Sequence, residues 1–580
     1  MEKPPRLLLS RLWLQNRVYD VTLNSIVFAW KETEPNRKRA PGTNWNTCKA
    51  AGSHSVPVCE VIAVQETAEE NQKSKKNVGK WHRVPRSPEE SYQPPAFTVF
   101  YVERTRQHRW RCRSVTFHCP DWGLCQQWIQ TIEEQLTLLT YRPKRLLVYI
   151  NPFGGKQQGK RIYEQKVAPI FSRASISTDV IVTERANHAR DHLKSEADLK
   201  KYDGVVCVGG DGMFSEIVHG LVWRTQSDSG VDQNCPEETL VPCDIRIGII
   251  PAGSTDCICY ATVGANDPVT SALHIIVGDS QPIDVCSVHH HNTFLRYSIS
   301  LLGYGFYGDL LTDSEKKRWM GPTRYDFSGV KTFLSHHYYE GTVSFLPAID
   351  NASSPRDKFK CRSGCHVCQH SDHLPLEDKP MCNEEEEEEE EQDGVVESGH
   401  KDVWRVIRGK FVAINAVSMS CACPRSPKGL SPAAHLSDGT TDLILVHKCS
   451  RLDFLRHLLR HTNKNDQFDH SFVEVHRVRR FRFMPKHQEA DPEELDLCER
   501  GGEGEGGGGG GRGRRLFGQI CRDHPACSTC APTHSTWSCD GETLPHTAIQ
   551  VGVHCQLIKL FARGIEEQPV FEDSSAVCSA

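Results

Sequence analysis

The pattern of hydrophobic and polar positions changes character three times along the chain. Up to about Tyr141 the apolar residues come in short β-rich runs such as Phe97-Thr98-Val99-Phe100-Tyr101-Val102. These end on Leu124, Trp128, Ile129, Ile132 and Leu136, whose spacing predicts one amphipathic helix. From Arg145 the runs become continuous: Leu146 to Ile150, Val205 to Val208 and Ile247 to Ile250. Unbroken apolar runs suit strands buried on both faces, as in a parallel sheet with helices between its strands. Met213, Phe214, Ile217, Val218 and Leu221 form the inner stripe of one such helix. Beyond about Asp284 the chain becomes strand-rich. There Ile549, Val551, Val553, Cys555 and Leu557 alternate with Gln550, Gly552, His554 and Gln556, which predicts a sheet with one wet face.

Polar stretches interrupt these segments. Glu66 to Pro95 reads as a long loop. Asn351 to Val403 includes eight consecutive glutamates, Glu384 to Glu391, and Glu489 to Arg515 carries six consecutive glycines. Such segments repel or stay solvated rather than pack. The tail after Gln568 has no core pattern. The expected organisation is a strand-rich, helix-closed domain over 1–140 and an α/β lobe over 141–290. A β lobe follows over 291–350 and 404–565, with low-complexity insertions at 351–403 and 489–515.

Composition narrows the function. With 580 residues the chain exceeds one compact domain. Charged residues make up 25% and the net charge is −5, which argues against a general nucleic-acid binder. No run approaches the roughly 18 apolar residues of a membrane span. Leu7, Leu8 and Leu9 are too few for a signal peptide, and Glu2 excludes the N-myristoylation pattern. The 25 cysteines, an odd number spread over a long chain, suit free thiols in a reducing compartment. Cys361, Cys365 and Cys368, with His366 and His370, have zinc-like spacing. A second group, Cys521, Cys527 and Cys530, completes a site only if the fold brings it close, and reduced loop cysteines are the simpler reading.

Each continuous run is followed by a glycine-containing turn. These are Asn151-Pro152-Phe153-Gly154-Gly155-Lys156, Gly209-Gly210-Asp211-Gly212 and Pro251-Ala252-Gly253-Ser254-Thr255-Asp256. Ligands of open parallel sheets bind outside the carboxyl ends of the strands. Glycine there lets backbone N–H groups approach phosphate oxygens, and a following helix adds its positive end. One such turn is usually only a tight turn, but three at successive strand ends point to a phosphate site. Asp211 would repel bare phosphate. It fits work with Mg²⁺, or acceptance of a proton from an attacking hydroxyl, or simple capping of the next helix.

In order and wording these motifs, with Asp540-Gly541-Glu542, resemble the diacylglycerol kinase-type lipid kinases from Arg145 to roughly Gly564. Further matches resemble the ceramide kinases within that family. They are Gly303-Tyr304-Gly305-Phe306-Tyr307-Gly308-Asp309, Ser314 to Arg318, Leu430 to Leu436 and Phe561 to Glu567. The resemblance implies an N-terminal pleckstrin-homology-like domain followed by a two-lobed kinase, a nucleotide-binding α/β lobe and a β-sandwich. It implies ATP with Mg²⁺. ATP contacts then fall on Asn151, Pro152, Phe153, Gly154, Gly155, Thr183, Glu184, Arg185, Ala186 and Asn187. They continue on Gly209, Gly210, Gly212, Glu216, Gly253, Ser254, Thr255, Arg318, Arg324, Asp540 and Gly541. Asp211 and Glu542 share the catalytic assignment, and Gly209 to Gly212 with Asp309 would contact the lipid. Asp438 and Asp442 match a family loop whose metal role stays open beside a capping one. Leu311 replaces the aspartate with which sphingosine kinases hold an amine, and ceramide has only an uncharged amide there.

The resemblance further implies ceramide as substrate, on membranes of the Golgi and cell surface reached from the cytoplasm. Arg104, Arg106, His108, Arg109, Arg111 and Arg113 surround one strand, and a phosphoinositide headgroup or plain solvent would each suit them. Arg451 to Lys464 is a basic amphipathic segment. Core packing or calmodulin, with Ca²⁺ as regulator, explains it about equally. Rival readings are a diacylglycerol or sphingosine kinase, a soluble kinase sharing the Gly-Gly-Asp-Gly turn, and an inactive membrane-docking adaptor.

Overall fold

The computed structural model describes residues 8–33, 53–67, 94–321, 323–348, 354–370, 403–463, 465–486 and 534–567. The polyglutamate run, the glycine run and Cys521, Cys527 and Cys530 lie outside the described residues. Among those described, no helix is long and apolar enough to cross a membrane.

Seven antiparallel strands form the N-terminal sheet. Their spatial order is Ser53–Pro57, Val27–Glu32, Arg17–Leu23, Leu8–Leu14, Trp110–His118, Ala96–Arg104 and Val61–Glu66. The helix Trp122–Thr137 closes it, N-capped by the Asp121 carboxylate, which accepts from Leu124 N. Trp128 is fully buried, stacked on Phe97 at 5.8 Å and edge-on to Phe28. Trp128 is thus core, the helical spacing read in the sequence is the helix's buried face, and the antiparallel sheet with its closing helix matches the expected pleckstrin-homology-like unit.

The α/β lobe has four parallel strands in the order Ser177–Val182, Arg145–Ile150, Gly204–Gly209, Arg246–Pro251. Helices cover both faces. Leu147 and Tyr149 pack with Leu193, Phe214, Ile217 and Leu221 on one side. Leu146, Val148 and Ile150 pack with Tyr163, Phe171 and Leu273 on the other. Successive strand residues point to opposite faces, so double burial accounts for the unbroken apolar runs.

The second lobe is antiparallel. It begins with Ser280–His290, inside the range the sequence reading gave to the α/β lobe. That strand pairs with Thr293–Ser298 and with the long strand Ile549–Phe561. Ile549–Phe561 also pairs with Val473–Pro485, and at its far end runs parallel to Arg246–Pro251. One 13-residue strand therefore belongs to both lobes.

The N-terminal domain docks on the kinase lobe through the charged strand. Trp110 stacks on His274 at 3.8 Å, and its backbone N–H donates to Thr270 Oγ1. Arg111 pairs with Asp267 at 2.7 Å. Glu60, only 3% exposed, accepts from Arg104 at 2.6 and 2.7 Å and from Arg563 at 2.6 Å. Arg104 also grips Glu566, and Arg563 grips Asp279. Arg104 and Arg111 are thus ion-paired within the molecule rather than offered to a headgroup, and Arg113 pairs with Glu103 at the surface. Removing one partner of a buried ion network costs far more than a surface pair. Glu60→Ala is expected to lower stability by about 3 kcal/mol, with Glu60→Gln intermediate, measured by urea unfolding. A loss no larger than that of a surface control such as Glu103→Ala would show that the network does not hold the domains together.

Candidate active site

The three glycine turns meet at the carboxyl ends of the parallel strands. Gly155 lies at φ +56°, and a Cβ there would sit 2.7 Å from the Ala252 carbonyl oxygen. A Cβ on Gly253 would lie 2.6 Å from both Gly210 Cα and Asp256 Oδ1. Only glycine lets the three backbones approach this closely, leaving a shallow, backbone-lined floor. In the first turn Asn151 Oδ1 accepts from the N–H groups of Phe153 and Gly154 at 2.8 and 3.0 Å, which fixes the loop. Phe153 is exposed.

Asp211 opens the helix Asp211–Asp228 directly behind Gly210. Its carboxylate reaches across to the helix Cys257–Val263, accepting from Cys257 N and Ile258 N, each at 3.0 Å. Burial pushes its pKa up, partly offset by those two amides, and the nearby charge of Asp540 adds to the rise. Asp211 is therefore both a cap and an acid at the strand end, and each oxygen keeps one lone pair for another donor.

The strand-end segment 183–187 lies beside it. Thr183 N–H and hydroxyl both donate to Ile150 O. Arg185 pairs with Asp191. Asn187, at φ 61°, precedes the helix His188–Ser195, and its backbone donates to the Glu216 carboxylate. Burial raises the Glu216 pKa, and the charge of Glu542 adds to it. Glu542 arrives from the second lobe and is half exposed. Arg296 Nη1 donates to it at 2.5 Å while Nη2 donates to Ser215 Oγ at 3.3 Å. Arg296 thus ties Glu542 to the helix that Asp211 opens.

The remaining expected residues are held by the protein itself. Asp540 accepts from the N–H groups of Ile299, Ser300 and Leu301 and from Ser300 Oγ, all within 2.6 to 2.9 Å. It fixes a turn, with Gly541 at φ +90° beside it. Asp309, in the first turn of the helix Phe306–Glu315, accepts from Tyr339 Oη at 2.7 Å and Ser535 Oγ at 2.6 Å, and burial raises its pKa. Leu311 on the same helix is buried. Arg318 and Arg324 converge on Glu315, and Arg324 also donates to Tyr325 Oη. Asp442 is locked to Arg477 and Ser431 in the interior. Asp438 accepts from Thr440 N and Oγ1.

Two residues carry roles the sequence did not suggest. Arg296 has no motif around it. Asp256, the last residue of the third turn, accepts from Gly253 N at 2.9 Å and has φ 53°. Burial, reinforced by Asp211, pushes its pKa from 3.8 to about 7, although the Gly253 amide opposes this. The folded state therefore holds this proton more tightly than the unfolded chain. Its contribution to stability is full below the unfolded value and lost as pH rises through the folded one. Stability should decline between about pH 4 and about pH 7, and Asp256→Asn should flatten that part of the profile. The measurement is the wild-type minus variant difference in thermal midpoint across that window. A difference independent of pH would rule out the buried neutral acid.

Comparison with known proteins accounts for this arrangement. The model of the ceramide kinase PH domain matches residues 8–132, that of the diacylglycerol kinase catalytic domain residues 145–288, and that of the ceramide kinase C-terminal domain residues 368–580. Ceramide kinase of Homo sapiens is 55% identical over 97% of this chain and 97% of its own length. That of Mus musculus is 53% identical over 96% of this chain and 98% of its own. Ceramide kinase of Arabidopsis thaliana is 34% identical over 64% of this chain and 72% of its own. An N-terminal pleckstrin-homology domain, an α/β lobe with its glycine floor and an antiparallel lobe that reaches back to that floor thus belong together: the chain is a lipid kinase of the ceramide kinase family.

Proposed function

We propose that this chain transfers the γ-phosphoryl group of ATP to the primary hydroxyl of ceramide at a membrane surface. The observation that carries the reading is the glycine floor formed by three touching turns, with the Asp211 carboxylate at its edge. Its backbone N–H groups suit phosphate oxygens, and the helix behind Gly210 adds a positive end. A Cβ at Gly155, Gly210 or Gly253 would run into the neighbouring turn, so glycine is what lets the three turns meet, and their backbone would hold the nucleotide's phosphates. Mg²⁺ bound with ATP would neutralise phosphate charge. Asp211 orients the acceptor hydroxyl and takes its proton. It suits the role better than Glu542, which Arg296 already neutralises. Glu542 and Arg296 instead hold the second lobe against the helix Asp211–Asp228. Arg318 and Arg324 reach the phosphates only by leaving Glu315. Asp309 sets the helix Phe306–Glu315 beside the acceptor, and buried Leu311 leaves no charge there for an amine.

Exposed apolar groups support the membrane reading. Trp319 is 84% exposed, and Phe327, Val330 and Leu334 line the outer face of the helix Thr323–Ser335. The helix Arg451–Arg460 packs beside it, with Phe333 stacked on Phe454, and turns Leu452, Leu455 and Leu459 outward. Lys331, Arg451 and Arg456 stand among them, each worth about 1 kcal/mol near an anionic leaflet. Arg104 and Arg111 are paired within the molecule and Arg113 holds Glu103, so phosphoinositide recognition by the N-terminal domain would draw on Arg109 or require a pair such as Arg113–Glu103 to open. Calmodulin control by Ca²⁺ is a second reading of the outward leucines at i, i+3 and i+7. It requires that stripe rather than Phe454 and His457, which are buried.

Phosphate transfer from labelled ATP to ceramide, diacylglycerol and sphingosine in mixed micelles, with and without Ca²⁺, tests the proposal. Product from ceramide alone is expected. Equal transfer to diacylglycerol would overturn the substrate, and no lipid product at all would favour an inactive adaptor. Asp211→Asn should lower turnover by about 10²- to 10⁴-fold. Because its amide would face a backbone donor, it should also cost about 1–3 kcal/mol of stability. Near-normal turnover in a folded variant would remove Asp211 from the chemistry.

A further inference from the structure

Cys361, Cys365 and Cys368 stand on the segment that follows the strand Tyr339–Pro347, and the fold brings His435 to them from the loop before the strand Thr441–His447. One ligand atom from each of the four lies within 4.8 Å of the other three. We propose that these residues bind a single structural zinc ion that pins the cysteine segment to the 430–440 loop.

The distances suit that ion. Zinc with Zn–S of about 2.3 Å and Zn–N of about 2.0 Å has tetrahedral edges of about 3.8 Å between sulphurs and about 3.5 Å from sulphur to nitrogen. Cys361 Sγ and Cys368 Sγ are 3.7 Å apart, and Cys365 Sγ is 3.3 Å from His435 Nδ1. Closing the widest pair, at 4.8 Å, needs a contraction of about 1 Å. All three thiols are free rather than bridged.

A second observation points the same way. His435 is 2% exposed, yet its Nε2 is buried with no hydrogen-bond partner. Asp438 Oδ2 is likewise buried and unpartnered. Ligation through Nδ1 fixes the proton on Nε2, and zinc-binding histidines pass that proton's hydrogen bond to a carboxylate. Asp438, three residues further along the same loop, is the candidate acceptor, though the two atoms are not within hydrogen-bond distance in this structure. The neighbouring Asp442, Ser431 and Arg477, with Arg477 Nη2 donating to Ala433 O, hold the loop that carries His435.

Four protein ligands leave no open position, so the site is structural rather than catalytic. Its place explains what it stabilises. Ser363 N donates to Ile565 O at 3.0 Å, beside the Arg563 and Glu566 that grip the N-terminal domain. The ion would clip the start of the long insertion between the strands Tyr339–Pro347 and Arg405–Val417 to the junction of all three units. Since thiols must lose protons to bind, uptake releases protons and weakens as pH falls.

The test uses the full chain, purified reduced and without chelator. Metal analysis should find about one zinc per chain after dialysis, and Co²⁺ replacement should give the intense thiolate charge-transfer and tetrahedral d–d bands. Cys365→Ser and His435→Ala should lose this equivalent, while His435→Cys, which keeps four ligands, should retain it. Chelation should lower the thermal midpoint of the wild type but leave that of Cys365→Ser unchanged. Zinc far below one equivalent, or Co²⁺ without thiolate bands in the wild type, would overturn the proposal even if the variants failed to fold. Zinc that survives Cys365→Ser unchanged would place the metal elsewhere and overturn it as well.

Discussion

The arrangement of the kinase depends on the backbone hydrogen bonds of one strand, Ile549–Phe561. It is antiparallel to Ser280–His290 along most of its length and to Val473–Pro485 over Ile549 to Gly552, and at Lys559 and Leu560 it runs parallel to Arg246 and Ile247. Register in a buried sheet is strongly specified, because a one-residue slip turns every inner side chain outward. The two lobes are therefore set relative to each other by strand pairing and not by a flexible hinge alone. Glu542 lies seven residues before this strand, in a short hairpin fastened by Leu302 opposite Cys539. The Asp540 carboxylate secures the same hairpin to the turn at Ile299 to Leu301. Through Arg296 this places an acid of one lobe against the helix that carries Asp211 in the other.

Around that junction burial makes acids reluctant to ionise. Asp211, Glu216, Asp256 and Asp309 are all raised, each with desolvation as the leading cause. Backbone amides moderate the effect at Asp211, Glu216 and Asp256, and hydroxyl donors do so at Asp309. A carboxylate that must accept a proton from an alcohol gains from a raised pKa, because transfer becomes less uphill. The glycine floor beside it is backbone, with the Gly253 N–H taken by Asp256.

Much of this was legible in the sequence, for physical reasons that can be named. Leu146 to Ile150 reads as a doubly buried strand because both faces need apolar side chains. Glycine at three strand ends reads as close backbone approach because nothing else fits at Gly253. Trp128 reads as core from its spacing with Ile129 and Ile132. What failed to show were partners distant along the chain. Arg104 looks like part of a basic surface on its own strand, but its carboxylates are Glu60 and Glu566, the latter 462 residues away. Charge pattern reveals that a strand is basic, not what faces it. His435 sits 70 residues from Cys365, so the cysteine spacing suggested a metal while His366 and His370 were the nearer candidates. His366 in fact lies edge-on to Phe359. The start of the antiparallel lobe was placed late because Ser280–His290 is nearly all buried and lacks the alternation that marks an exposed sheet.

The ion pairs of the charged strand also bear on how the N-terminal domain works. A pleckstrin-homology domain that used Arg104 and Arg111 for lipid would have to break the Arg104–Glu60 pair within its own domain and the Arg104–Glu566 and Arg111–Asp267 pairs across the junction. Breaking a buried pair costs several kcal/mol, more than one headgroup contact of about 1 kcal/mol per basic residue returns. Trp110, stacked on His274 and 2% exposed, would be uncovered in the same movement. On the proposed membrane reading, docked domains acting together are therefore favoured over a released domain acting alone. The helix Phe306–Glu315 packs against the helix Arg451–Arg460 through Phe306 and Phe454, so on the proposed membrane reading these outer faces and that helix form one unit.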